Sequence, residues 1–283
     1  MKLIECPRDA MQGFTAFIPT DVKTIYLNKL LGVGFDTLDF GSFVSPKAIP
    51  QMADTAEVLK GLDLSHTNTK LLSIVANKRG AEQAACFDEI TYIGYPLSVS
   101  EIFQQRNTNK SIAEALEEIA QIHNHISESR KILVVYLSMA FGNPYDELYH
   151  PDRVSLLTEK LSDLGITIVA PSDTIGSSTP ASIIELFQQL LQDFPHIEFG
   201  AHLHSTPSTV IAKIEAAYQA GCRRFDGAIR GFGGCPMAKD ELTGNLPTEQ
   251  IIGYFERQSI DPNINRSAFE DAWQYAAQVF ALH

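Results

Sequence analysis

Cysteine is sparse in this chain and long apolar runs are missing. Four cysteines stand among 283 residues, at Cys6, Cys86, Cys222 and Cys235, with no paired metal-ligand spacing. That pattern argues against a thiolate-built structural zinc site. A chain of this length holds a core without disulfides, so free thiols in a reducing compartment are expected. No apolar stretch approaches the roughly 20 residues of a membrane span, and no charged–apolar–small leader precedes "MKLIEC". A cytoplasmic protein with no membrane partner is the expectation. Basic charge is short as well: the net charge of −12 argues against a nucleic-acid partner, whose surface needs basic patches. Linkers, low-complexity segments and charge blocks are missing too, so one domain over 1–283 is expected.

What is there is ordinary globular composition, 45% hydrophobic and 20% charged, organised as an alternation. Eight β-rich runs recur at 2–6, 35–43, 70–76, 89–95, 132–139, 166–172, 197–204 and 224–231. Several are continuously apolar, as strands buried on both faces should be. Amphipathic stretches lie between them. "SIAEALEEIAQIHNHI" opens with Ser111 and has Glu114 three residues on, a capping box. "DRVSLLTEKLSDLG" and "STVIAKIEAAYQAG" close on Gly165 and Gly221, and Pro180 opens a helix where its missing N–H is harmless. Eightfold strand–helix alternation predicts a single (β/α)8 TIM barrel, with a doubly wound sheet as the competing topology. From about Asn263 the chain reads as an extra C-terminal helix, placed to cover a barrel end or a partner subunit. A homodimer is the expected assembly.

In this fold the active site lies where the strands end. The first strand is followed by Arg8 and Asp9, the second carries Asp39 and Ser42, and the third ends at Asn77. The fifth brings Tyr136, the sixth Asp173 and Thr174, and the seventh His202 and His204, two imidazoles on one strand face. After the eighth comes a glycine-rich loop, "GFGGCPMAKDELTGN", with Cys235 and Asn245. Asp9, His202, His204 and Asn245 together make a mixed nitrogen and oxygen set suited to Mg²⁺ or Mn²⁺. Taken singly, Asp9 and Asn245 are also ordinary turn residues, and Cys235 an ordinary small hydrophobe.

Over nearly its whole length the chain resembles the hydroxymethylglutaryl-CoA lyase family. The matching segments are "PRDAMQ", "SFVSPKAIPQMADTAEVLKGL", "SEIFQQRNTNKSI", "SDTIGSSTP", "HLH" and "GFGGCPMAKDELTGNLPTE". The Arg-Asp pair and His-x-His are shared by a wider superfamily, whereas "SFVSPK" and the Gly-Gly-Cys-Pro loop are the lyase-specific signals. The resemblance implies retro-Claisen cleavage of an acyl-CoA, 3-hydroxy-3-methylglutaryl-CoA or one like it, to acetyl-CoA and acetoacetate. It implies a divalent cation held by Asp9, His202, His204 and Asn245. It implies that Arg8 stabilises the enolate, that Cys235 exchanges the proton on a mobile loop, and that His202 or an acidic neighbour takes the hydroxyl proton. Asp39 takes the place of a catalytic glutamate, one methylene shorter, and Ser42, Asn77, Tyr136, Asp173 and Thr174 are the expected substrate contacts. The chain departs from the family pattern at Ile4, Val134 and Ser205, where the family has glutamate, arginine and aspartate. Two other readings stand beside this one: a related aldolase or Claisen-type synthase, and a barrel that binds metal without turnover.

Overall fold

In the computed structural model, which describes residues 1–234 and 243–281, all eight expected strands form. They are β1 (Lys2–Glu5), β2 (Thr37–Ser42), β3 (Lys70–Ile74), β4 (Ile90–Ser98), β5 (Ile132–Ser138), β6 (Ile168–Asp173), β7 (Glu198–Ser205) and β8 (Arg224–Gly227). Each pairs in parallel with the next, and β8 pairs with β1, Lys2 opposite Arg224, so the sheet closes on itself. Closure rules out the doubly wound sheet, which leaves two open edges. A ninth, two-residue strand, β9 (Gly244–Asn245), runs antiparallel to β7 and sets Asn245 opposite His204.

Helices ring the barrel: α1 (Pro7–Gln12), α2 (Thr20–Leu31), α3 (Thr55–Lys60), α4 (Lys78–Ala85), α5 (Glu101–Thr108) and α6 (Ile112–Ser127), then α7 (Pro151–Asp163), α8 (Pro180–Asp193), α9 (Val210–Gln219), α10 (Thr248–Arg257) and α11 (Arg266–Ala281). Local chemistry explains their limits. Ser111 and Glu114 form the reciprocal capping box at the start of α6, satisfying N–H groups that the first turn leaves bare. Pro180 occupies the first turn of α8. Gly165 and Gly221, with φ of +85° and +106°, end α7 and α9 in the left-handed conformation that glycine adopts without strain.

The core has two layers. A small set inside the barrel comprises Leu72, Ile74, Tyr92, Val134, Tyr136, Ile168 and Ala170, and a larger one fills the space between strands and helices. The C-terminal helix α11 lies against α2 within this chain. Phe280 packs on Tyr26, Phe14 and Phe232, and Lys29 pairs with Asp271. Among the described residues, no helix is long and apolar enough to cross a membrane.

Candidate metal centre and active site

At the C-terminal mouth of the barrel a cavity of about 470 Å³ opens, lined on its polar side by Arg8, Asp9, Gln12, Thr174, His202 and His204. The first three of these sit on α1, a short helix that follows β1 directly and was not expected from the sequence. Pro7 at the first helical position pre-sets the turn, and the helix then stacks Arg8, Asp9 and Gln12 by their i,i+3 and i,i+4 spacing. Gln12 donates to Asp9 Oδ1 (2.9 Å) and accepts from Arg8 Nη1 (2.9 Å). Gln12 was overlooked in the sequence, and the helical spacing was the signal that marked it.

Ligand atoms from Asp9, His202 and His204 all lie within 4.8 Å of one another. Each ring is held from behind. His204 Nδ1 lies 3.0 Å from the carbonyl of Thr174, and His202 Nδ1 lies 3.2 Å from Asp226 Oδ2. Since a carbonyl only accepts, Nδ1 of His204 carries the proton and Nε2 keeps a lone pair. That Nε2 is buried and has no hydrogen-bond partner among the described residues. Two imidazoles with Nε2 free beside one carboxylate fit a small divalent cation. A second group, Cys6, His202 and Asp226, is equally compact but draws on the same His202 from below. Asp226 was missed by the sequence reading because it lies within β8 and not at its end.

The electrostatics sort the groups. Burial pushes the Asp9 carboxyl up, but the Arg8 guanidinium, both imidazoles and the Asn245 amide hold it at about 2. Burial drives His204 down to about 4, with His202 adding to the fall, so the ring is neutral at pH 7. His202 goes the other way: the hydrogen bond and charge of Asp226, helped by Asp9, outweigh burial and raise it. Asp39 is lifted by burial to about 6 against the pull of Arg8, with Asp9 and Asp226 pushing the same way as burial.

The other expected site residues fall into four groups. Asn245 is brought to the centre, where its amide nitrogen donates to Asp9 Oδ2 (2.7 Å) and to the Phe232 carbonyl (2.9 Å). Thr174 and Tyr136 line the cavity, and the Tyr136 ring meets His202 edge-on at 5.4 Å. Asp39, Ser42, Asn77 and Asp173 are not among the lining residues. Asp39 grips Arg8, Nη2 to Oδ2 at 2.6 Å and Nε to Oδ2 at 3.0 Å. Ser42 Oγ accepts from the Val44 N–H, and Asn77 caps α4 through the Gly80 N–H. Asp173 accepts from Ser178 and Lys213. These short polar side chains end strands, where their own backbone competes for them. Cys235 lies outside the described residues. The glycines before it have a visible purpose: Gly233, at φ +88°, leaves room that a Cβ would close to within 2.7 Å of the Asn245 amide and 2.8 Å of the Asp9 carbonyl.

Comparison with known proteins identifies the family. The HMGL-like family model matches residues 3–275. The chain belongs to the HMGL-like family. Within that lyase family it is 34% identical to a hydroxymethylglutaryl-CoA lyase of Bacillus subtilis, over 91% of this chain and 85% of the relative. The crystal structure of the HMG-CoA lyase from Brucella melitensis superposes with a TM-score of 0.92 at 29% identity, covering 98% of each chain. An HMG-CoA lyase from Acinetobacter baumannii, solved in complex with coenzyme A and 3-methylmalate, superposes with a TM-score of 0.90 at 27% identity, over 99% of this chain and 91% of that one.

Proposed function

We propose that this chain cleaves 3-hydroxy-3-methylglutaryl-CoA, or a close 3-hydroxy acyl-CoA, to acetyl-CoA and acetoacetate in the cytoplasm, with Mg²⁺ or Mn²⁺ held by Asp9, His202, His204 and Asn245. The observation that carries this reading is the convergence of Asp9, His202 and His204 on one wall of the cavity with Arg8 beside them. The coenzyme A complex of the Acinetobacter relative supports the acyl-CoA class. A divalent cation bound here supplies charge that acidifies a substrate hydroxyl and orders its oxygens.

The chain's own groups perform the rest. His202 has one free ring nitrogen, since Nδ1 belongs to Asp226, so ligand and base are competing roles for it. The hydroxyl proton goes to a group on the cavity wall, His202 or its acidic neighbour Asp9, because Asp39 lies behind Arg8, with its carboxylate engaged by the guanidinium, and does not line the cavity. As that proton leaves, the bond between C2 and C3 breaks, a ketone forms at C3, and the electron pair moves into the thioester enolate. Arg8, fixed by Asp39, Asp9 and Gln12, presents a preorganised cation to the developing oxyanion, which is where electrostatic stabilisation acts most strongly. Cys235 then delivers a proton to the enolate carbon, giving the acetyl group.

The test is a Mn²⁺-loaded activity assay over a small panel of hydroxy acyl-CoAs, with acetyl-CoA release as the readout. Cleavage of a 3-hydroxy-3-methylglutaryl-type thioester supports the reading. Turnover of a hydroxy-keto acid with none of any acyl-CoA makes the protein an aldolase or synthase, and metal binding with no turnover makes it a binding barrel.

A further inference from the structure

Below the metal centre, inside the barrel, stands an arginine that the proposed reaction does not use. Strand alternation points Arg224 and Asp226 of β8 inward together, and Arg224 is 1% exposed. Its Nη1 reaches Glu198 Oε1 at 3.3 Å, near the lower rim where Glu198 also meets Lys2. Its Nε and Nη2 are buried without a hydrogen-bond partner among the described residues, as is Asp226 Oδ1, and Nε lies 4.0 Å from that oxygen. Room for the side chain comes from the neighbouring strand: Gly200 is opposite Arg224 in register, and a Cβ there would lie 3.0 Å from Arg224 Cδ. A buried guanidinium is expensive unless compensated, and the carboxylate nearest its orphaned Nε is Asp226.

The two oxygens of Asp226 divide the work. Oδ2 faces His202 Nδ1 and Oδ1 faces Arg224. A carboxylate drawn from below by a guanidinium has its plane set, which aims Oδ2 at the imidazole above it. The hydrogen-bonded ring then carries its proton on Nδ1 and keeps Nε2 as the lone pair turned toward Asp9. The charges alternate along the barrel axis: Lys2, Glu198, Arg224, Asp226, then His202. We propose that Arg224 is a positioning residue for the metal centre, acting through Asp226 to hold His202 in its ligating tautomer. This rests on the metal-binding reading above, and its test separates the two.

The experiment uses the full chain with ¹⁵N-labelled histidine. First, the ring nitrogens of His202 are read by NMR in metal-free protein at alkaline pH, where both imidazoles are neutral. The wild type should hold Nδ1–H, and Arg224→Met should shift the population toward the other tautomer. Second, Mn²⁺ affinity is measured by titration calorimetry. Arg224→Met should weaken it about 10-fold, within the roughly 10–100-fold range for losing a group behind a ligand. Asp226→Asn should weaken it at least as much, and Arg224→Lys should recover part of the loss. Should Arg224→Met fail to fold, Gly200→Ala keeps the arginine and displaces it, and should weaken Mn²⁺ binding in the same direction. Wild-type ring shifts and Mn²⁺ affinity in a folded Arg224→Met protein, or in Gly200→Ala where that variant stands in, overturn the proposal. If the wild type binds no Mn²⁺, the metal reading fails, and the NMR arm alone still decides whether Arg224 sets the tautomer.

Discussion

Replacing Lys213 with methionine isolates one buried ion pair. Lys213 on α9 and Asp173 at the end of β6 are 2% and 1% exposed at their side chains and lie 2.7 Å apart. The ammonium also donates to the His204 carbonyl (2.8 Å) and the Gly176 carbonyl (3.1 Å), so its three protons are all used. It thereby ties the ends of β6 and β7 to the turn after β6. Methionine keeps the aliphatic length and removes the charge. Asp173 would retain its bonds from Ser178 but lose its counter-charge in a site water does not reach. Breaking such a pair costs about 3–5 kcal/mol, chiefly because a buried charge is left alone. For a chain of this size 1 kcal/mol moves Tm by roughly 2–4 °C, so Lys213→Met should lower it on the order of 10 °C. Calorimetry and urea unfolding measure this directly, and Lys213→Met/Asp173→Leu, which removes both charges, should regain much of the loss. Because His204 leans on the same ammonium, Mn²⁺ binding should weaken as well. A Lys213→Met protein with wild-type Tm would refute the argument that this pair organises the strand ends.

Glu5 gives a pH test: it is fully buried against the Ile229 N–H and the Thr248 hydroxyl, and burial raises it from 4.5 to about 8. The folded state therefore binds a proton that the unfolded chain releases, so this contribution is full below about pH 4.5 and is lost as pH rises through about 8. Stability measured from pH 5 to 9 should fall by a few kcal/mol from this group, and Glu5→Gln should flatten the slope; an unchanged slope would show that Glu5 is ionised throughout. Asp39→Asn should lower kcat about 10²-fold, the low end for losing an oxyanion-stabilising donor, because Arg8 loses the carboxylate that fixes it, with Mn²⁺ affinity kept; full turnover would show that Arg8 is held without Asp39. Cys235→Ser should cost about 10²–10⁴ in kcat with little change in KM or Tm, and full turnover would make it a packing residue. Gly233→Ala should abolish Mn²⁺ binding, because a Cβ would meet the Asn245 amide at 2.7 Å from a φ of +88°; calorimetry showing normal affinity would mean the loop shifts freely.

Periodicity and punctuation alone determined the barrel. The eight apolar runs, the capping box at Ser111 and Glu114, and the closing glycines at 165 and 221 are local signals read over a few residues. The same signals placed Asp9, His202 and His204 near strand ends, and the family resemblance joined them into a site. Tertiary structure decided how each side chain is spent. Asp39 turns to Arg8, and Asp173 to Ser178 and Lys213, because a buried carboxylate takes the nearest donor and no linear pattern states which donor that is. Two residues are too few to show a strand period, so β9 was not legible, and its pairing is what sets the candidate ligand Asn245 opposite His204. Asp226 and Arg224 were hidden for a related reason. In sequence they are two polar residues in a short strand, and only closure of β8 against β1 and β7 puts them inside the barrel, beneath the imidazole they support.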